Sequence, residues 1–136
     1  VQEESIVPVL CRAVATGCGD ETWYLHFELR NRASTPIALP TYQPFTAFSV
    51  LATAGGKPLA VHQPALDIAV NPTTIHLPPG GAVTVHTPIR LRISEGADPG
   101  SDGFVWTIAR AREAVSLRVE LLLPAPFAVG CPVEFA

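Results

Sequence analysis

The stretch TWYLHFELRN, residues 22–31, followed at once by RASTP, residues 32–36, decides how this chain reads. Trp23, Leu25, Phe27 and Leu29 recur at every second position, with Tyr24, His26, Glu28 and Arg30 between them. A period of two puts alternate side chains on opposite faces of an extended strand, so one face is apolar and the other wet. The run that follows breaks the pattern with Asn, Ser, Thr and Pro, residues that bond their own backbone or cannot continue a ladder.

The same alternation recurs along the chain, cut each time by turn residues. In GAVTVHTPIRLRI (81–93), Val83, Val85, Ile89, Leu91 and Ile93 read inward, while Thr84, His86, Arg90 and Arg92 read outward. Pro88 falls on the outward set and predicts an edge position or a bulge, where no ladder hydrogen bond is needed. SLRVELLL (116–123) turns Leu117, Val119, Leu121 and Leu123 inward. PFTAFSVLAT (44–53) and KPLAVH (57–62) read as a hairpin around Gly55 and Gly56. NPTTIHL (71–77) reads as the hairpin partner of 81–93, joined through Pro-Pro-Gly-Gly. Strands are also expected within 5–14 and 127–135. Segment 104–115 divides between a short helix and a strand running to about Ala109, and its aromatic, β-branched start favours the strand. Eight or nine one-sided strands without linker or repeat predict a single domain over 1–136. The expected fold is an all-β, immunoglobulin-like antiparallel sandwich with Greek-key connections. An antibody-type domain is excluded, because neither the cysteine spacing nor the tryptophan placement matches.

Composition agrees. With 14 Pro and 10 Gly among 136 residues, helices of ordinary length have little room. The apolar fraction is 48%, yet no apolar run approaches the roughly 18 residues that span a bilayer as a helix. A net charge of −3, with nine basic residues scattered rather than clustered, provides no stripe for phosphates and argues against nucleic acid. The sequence has no Met and opens VQEES, which leads us to expect a signal peptide removed before Val1 and a secreted or periplasmic location.

Three cysteines leave one over if two of them pair. Cys11 and Cys131 sit in the first and last expected strands, and a bridge between them would tie the two ends of the domain. Cys18, between Gly17 and Gly19, is the alternative partner of either.

Residue patterns that carry chemistry are sparse. His26, His62, His76 and His86 supply no converging metal set, although His26 and His86 would meet if strands 22–31 and 81–93 pair. Glu95, Asp98 and Asp102 share the loop EGADPGSDG (95–103) and offer oxygens for calcium, but without the spacing of a recognised calcium loop. No nucleophile elbow, HExxH or phosphate loop is present, so neither an enzyme nor a cofactor is expected. Glu28, Arg30, Arg90 and Arg92 would form a charge ladder if their strands lie side by side. LPTYQPF (39–45) places Tyr42, Gln43 and Phe45 among prolines in an expected loop, and stiff aromatic loops lose little entropy on binding.

YLHFELRNRASTPIAL, then FSVLATAGGKPL, then HLPPGGAVTV resembles bacterial immunoglobulin-like domains, including the intracellular proteinase-inhibitor-like domain of bacilli and periplasmic accessory domains. That resemblance covers residues 22–93 and implies fold more than activity. NPTT at 71–74 resembles the opening of the NPTTG loop of chagasin-type protease inhibitors, but Ile75 stands where glycine is expected and no RPW-like motif follows. The expected function is therefore non-enzymatic protein binding through end loops, with Tyr42, Gln43, Phe45, Glu95, Asp98 and Asp102 as contact residues. A protease inhibitor is the alternative, and a small metal-dependent hydrolase a further one.

Overall fold

The computed structural model describes residues 8–17, 22–64, 69–94, 104–124 and 127–136. They form strands β1 (Val9–Gly17), β2 (Thr22–Asn31), β3 (Ile37–Gln43), β4 (Phe48–Ala54), β5 (Lys57–Pro58), β6 (Val61–His62), β7 (Asn71–Leu77), β8 (Ala82–Ser94), β9 (Val105–Ala109), β10 (Val115–Leu121) and β11 (Gly130–Phe135), with no helix among the described residues. The ambiguous segment thus begins as a strand. Nine strands make one sheet in the order β5-β4-β10-β11-β1-β2-β8-β9-β6, and β3 and β7 make a second, two-stranded sheet. The β1–β11 and β8–β9 pairings are parallel, so the large sheet is mixed and the expectation of a wholly antiparallel arrangement is corrected. Parallel neighbours need long connections. Almost the whole chain separates β1 from β11.

The large sheet is curled. β4 and β2 stand four strand steps apart in the order, about 19 Å on a flat sheet, yet the Phe48 and Phe27 rings lie 5.0 Å apart. Both ends of the strand order run into one short segment. Thr53 and Ala54 pair with Pro58 and Lys57, Leu59 N donates to Ala52 O, and Ala109 N donates to Ala60 O before β6 pairs with β9. Residues 57–62 therefore leave one edge of the sheet and join the other. The hairpin that launches them is the expected one: Gly55 and Gly56 have φ of 58° and 77°, the left-handed pair that a two-residue turn requires.

Inside the curl most of the predicted inward positions are buried, while Trp23, Val83, Val85 and Ile93 are half-buried against the core. Leu25, Phe27, Leu29, Ile89, Leu91, Leu117, Val119, Leu121 and Leu123 all belong to the core. Pro88 sits at a bulge in β8, as its outward position suggested. The register passes from His26↔His86 to Tyr24↔Arg90, so β8 spends two extra residues there. An even insertion preserves the alternation on both sides of the bulge, which is why 81–93 reads as one uninterrupted strand. Thr87 Oγ1 accepts a hydrogen bond from Ile89 N at 3.2 Å across the kink.

One expected pairing is not made. NPTTIHL pairs with β3, from Ile37↔Leu77 to Gln43↔Asn71, and not with β8. The Pro-Pro-Gly-Gly turn is tight, with Gly81 N donating to Pro78 O, but Asn31 captures its far side. Asn31 N donates to Gly81 O at 2.9 Å and Asn31 O accepts from Gly80 N at 3.1 Å. The chain leaving the turn is thereby laid on β2. The Asn31 side chain, 1% exposed, completes the junction. Its Nδ2 donates to the carbonyls of Thr35 and Leu77, both at 2.9 Å, and its Oδ1 accepts from Ala33 N at 2.8 Å.

The Cys11–Cys131 disulfide joins neighbouring parallel strands and spans a sequence separation of 120. Cys18 and residues 95–103 lie outside the described residues. A disulfide fits an oxidising compartment.

Two outcomes follow. Asn31→Ala leaves the buried carbonyl of Leu77, the part-buried carbonyl of Thr35 and the Ala33 amide without their partner and should destabilise by about 3 kcal/mol in urea unfolding, against under ~0.5 kcal/mol for the exposed neighbour variant Arg32→Ala. Replacing Cys11 and Cys131 together by Ala should cost about 4–5 kcal/mol in the chain-entropy account. Alkylation of the unfolded, unreduced protein should then mark one cysteine in the wild type, and three marked cysteines would show that no bridge forms.

Candidate functional site: a groove beside an open strand edge

The groove lies between the small sheet and the first half of β8. It encloses about 460 Å³ and is lined by Thr41 to Phe45 from β3 and its C-terminal extension, Thr73 and Ile75 from β7, and Val83 to His86 from β8. Its floor is apolar. Val83, Val85 and Ile75 are only half-buried, whereas Ile89 and Leu91, farther along β8, are fully buried. That contrast marks where cover by other strands is incomplete.

The backbone of β8 is open on this side. Asn31 N bonds Gly81 O, so in an antiparallel ladder odd residues of β8 turn their peptide groups toward β2 and even residues turn theirs away. Beyond the bulge the even residues are used, with Arg90 N donating to Phe104 O and β9 pairing from Arg90 to Ser94. Before the bulge, among the described residues, no strand pairs with Ala82, Thr84 or His86 on that side. Of these, Thr84 and His86 line the groove. No Lys, Arg, Asp or Glu occurs from Ala82 to His86, although edge charges are a common guard against unwanted pairing.

Thr41 adds a polar anchor. It is 5% exposed, lines the groove, and its Oγ1 has no hydrogen-bond partner among the described residues. A buried hydroxyl left unpaired costs free energy that a bound donor or acceptor would recover.

The residues anticipated as contacts divide. Tyr42 and Gln43 line the groove and are exposed. They do not sit in a loop, however: both belong to β3 and pair with Pro72 and Asn71. Phe45 is 2% exposed, with its ring 5.2 Å from Phe27 and 6.0 Å from Phe48, so its side chain is core and not a surface anchor. The reason is the strand end at Gln43. Beyond it the chain turns inward, which carries the Phe45 ring into the core. Glu95, Asp98 and Asp102 fall outside the described residues. Thr41 and the 82–86 edge were not anticipated. The sequence signal nearest the edge was Pro88, which marks the bulge where the open stretch ends.

The outer face behind the groove carries the charges. The expected ladder of Glu28, Arg30, Arg90 and Arg92 is not formed, because the register sets Glu28 opposite Thr84, Arg30 opposite Ala82, and Arg90 opposite Tyr24. Glu28 faces Arg12 on β1 instead. Arg12 in turn holds Glu134 at 2.6 Å, and that hydrogen bond and charge raise the Arg12 pKa above its ordinary value. Both groups are about half exposed, so the pair adds little stability. Arg90 lies 6.0 Å from the centre of the Tyr24 ring. His26 and His86 do meet, directly opposite each other with ring centres 5.3 Å apart.

No protein-family model and no curated protein sequence matches the chain. No helix among the described residues is long and apolar enough to cross a membrane.

The division of the aromatic segment is testable by stability. Phe45→Ala should cost about 3–5 kcal/mol as a core truncation, while Tyr42→Ala should stay within ~0.5 kcal/mol of wild type. Equal losses would place both side chains in the core.

Proposed function

We propose that this chain is a non-enzymatic protein-binding domain of immunoglobulin-like sandwich type, acting in a secreted or periplasmic setting, and that it takes an extended polypeptide segment along the open edge of β8. The observation that carries this reading is the coincidence of three features in one place: a β8 edge at Thr84 and His86 with no strand beside it among the described residues, a half-buried apolar floor, and the unpartnered Thr41 hydroxyl. A strand added to a sheet edge gains affinity from main-chain hydrogen bonds and specificity from pockets for alternate side chains. Val83, Val85 and Ile75 would receive apolar side chains on the inward face of such a segment. Tyr42 stands beside them as an amphipathic wall that orders at little entropic cost. The disulfide supports the compartment, since such bonds persist where thiols are not kept reduced. Inhibition by an inserted NPTT loop has less support, because Asn71 to Thr74 are held in the β3–β7 ladder.

The test is selection of a random peptide library on the oxidised protein, followed by affinity measurement on the Thr84→Pro variant. Proline removes one outward N–H while leaving the β2 ladder intact. Bound peptides should carry alternating apolar residues, and Thr84→Pro should weaken them about tenfold, one lost main-chain hydrogen bond. Peptides that bind Thr84→Pro as well as wild type would place the binding surface elsewhere.

A further inference from the structure

We propose that the facing histidines His26 and His86 form a surface site for a borderline divalent transition-metal ion, Cu(II) or Zn(II), on the outer face of the large sheet. This inference differs from the peptide-binding reading in resting on two imidazoles and not on the open backbone edge, although His86 also lines the groove.

The two residues are directly paired in the ladder. From the alternation set by the Asn31–Gly81 hydrogen bond they occupy a position of the non-hydrogen-bonded type, where side chains come closest. Their ring centres lie 5.3 Å apart with the planes at 74°. A metal about 2.05 Å from one nitrogen of each ring would lie about 3.2 Å from each ring centre. Centres 5.3 Å apart then correspond to a nitrogen–metal–nitrogen angle of about 110°, near the tetrahedral value that zinc favours. His86 is exposed and His26 half-buried, so turning a ring nitrogen toward a shared ion needs no repacking of the core.

A second contact orients His26. Its Nε2 lies 3.3 Å from Thr16 Oγ1, and the same hydroxyl lies 3.5 Å from the carbonyl oxygen of Tyr24, a group that only accepts. A hydroxyl donating to that carbonyl accepts from Nε2–H. This leaves the Nδ1 lone pair of His26 for the metal. Such support of a ligating imidazole by a hydrogen bond at its other nitrogen is the usual arrangement at metal sites. Glu28 shares the face two residues along β2, but it lies opposite Arg12 and 3.9 Å from Arg30, so it is engaged by those cations and the two imidazoles carry the site. No third His, Cys, Asp or Glu completes a cluster among the described residues, so water fills the remaining positions. Imidazole ligands and the general order of divalent affinities place Cu(II) above Zn(II).

The test is calorimetric titration of the oxidised protein, its Cys18 thiol blocked, with CuCl2 and separately with ZnCl2. One equivalent of metal should bind, Cu(II) more tightly than Zn(II). His26→Gln and His86→Gln should each weaken binding at least tenfold, while His62→Gln and His76→Gln should leave it unchanged. Diethyl pyrocarbonate labelling of the wild type, which needs no variant to fold, should show His26 and His86 both protected by metal. Binding that survives loss of either His26 or His86, absence of one-to-one binding at millimolar metal, or metal protection of only one of the two rings would overturn the proposal.

Discussion

The buried amide of Asn31 is the constraint on which the arrangement of the two sheets depends. The chain enters the small sheet after β2 and again after β6, and leaves it after β3 and after β7; the first entry and the last exit meet at this residue. Its side chain holds the outgoing turn through Thr35 and Ala33 and the end of the small sheet through Leu77. Its backbone holds the returning turn through Gly80 and Gly81. A buried amide is worth keeping only when fully bonded, and this one has found partners for both donors and its acceptor.

That junction has consequences along β8. Because the returning chain is captured by Asn31, β8 is laid against β2 from its first residue, and β7 is left with β3 alone. β9 joins β8 only past the bulge. The unpaired half of β8, the groove beside it and the facing histidines behind it all arise from this single choice of partner. The bulge preserves the inward side chains while ending the open edge, since an insertion of two residues changes direction without reversing the faces.

Closure at the other end rests on different physics. The curl brings aromatic rings from distant strands into one core, and residues 57–62 connect the two edges of the large sheet. The Cys11–Cys131 bond then ties the first strand to the last, restricting the unfolded chain over a loop of nearly its full length. A sheet closed in this way has few places left to add a strand.

The sequence by itself determined the strands and their faces. Leu25, Phe27 and Leu29, Ile89 and Leu91, and Leu117, Val119 and Leu121 alternate because a pleated strand alternates, and all are buried. Turn chemistry at Gly55 and Gly56 and the bulge at Pro88 were legible for the same reason: each depends on the conformations open to one or two residues. The choice of Cys131 as the partner of Cys11 had support in the sequence but not a decision, because Cys18 was an equal arithmetic candidate. Only the tertiary structure decided which strand lies beside which. It moved NPTTIHL from β8 to β3, turned Phe45 inward while leaving Tyr42 outside, and replaced the expected Glu28–Arg90 ladder by Arg12 and Glu134. Those outcomes depend on pairings between residues far apart in the chain, and local periodicity carries no term for the partner.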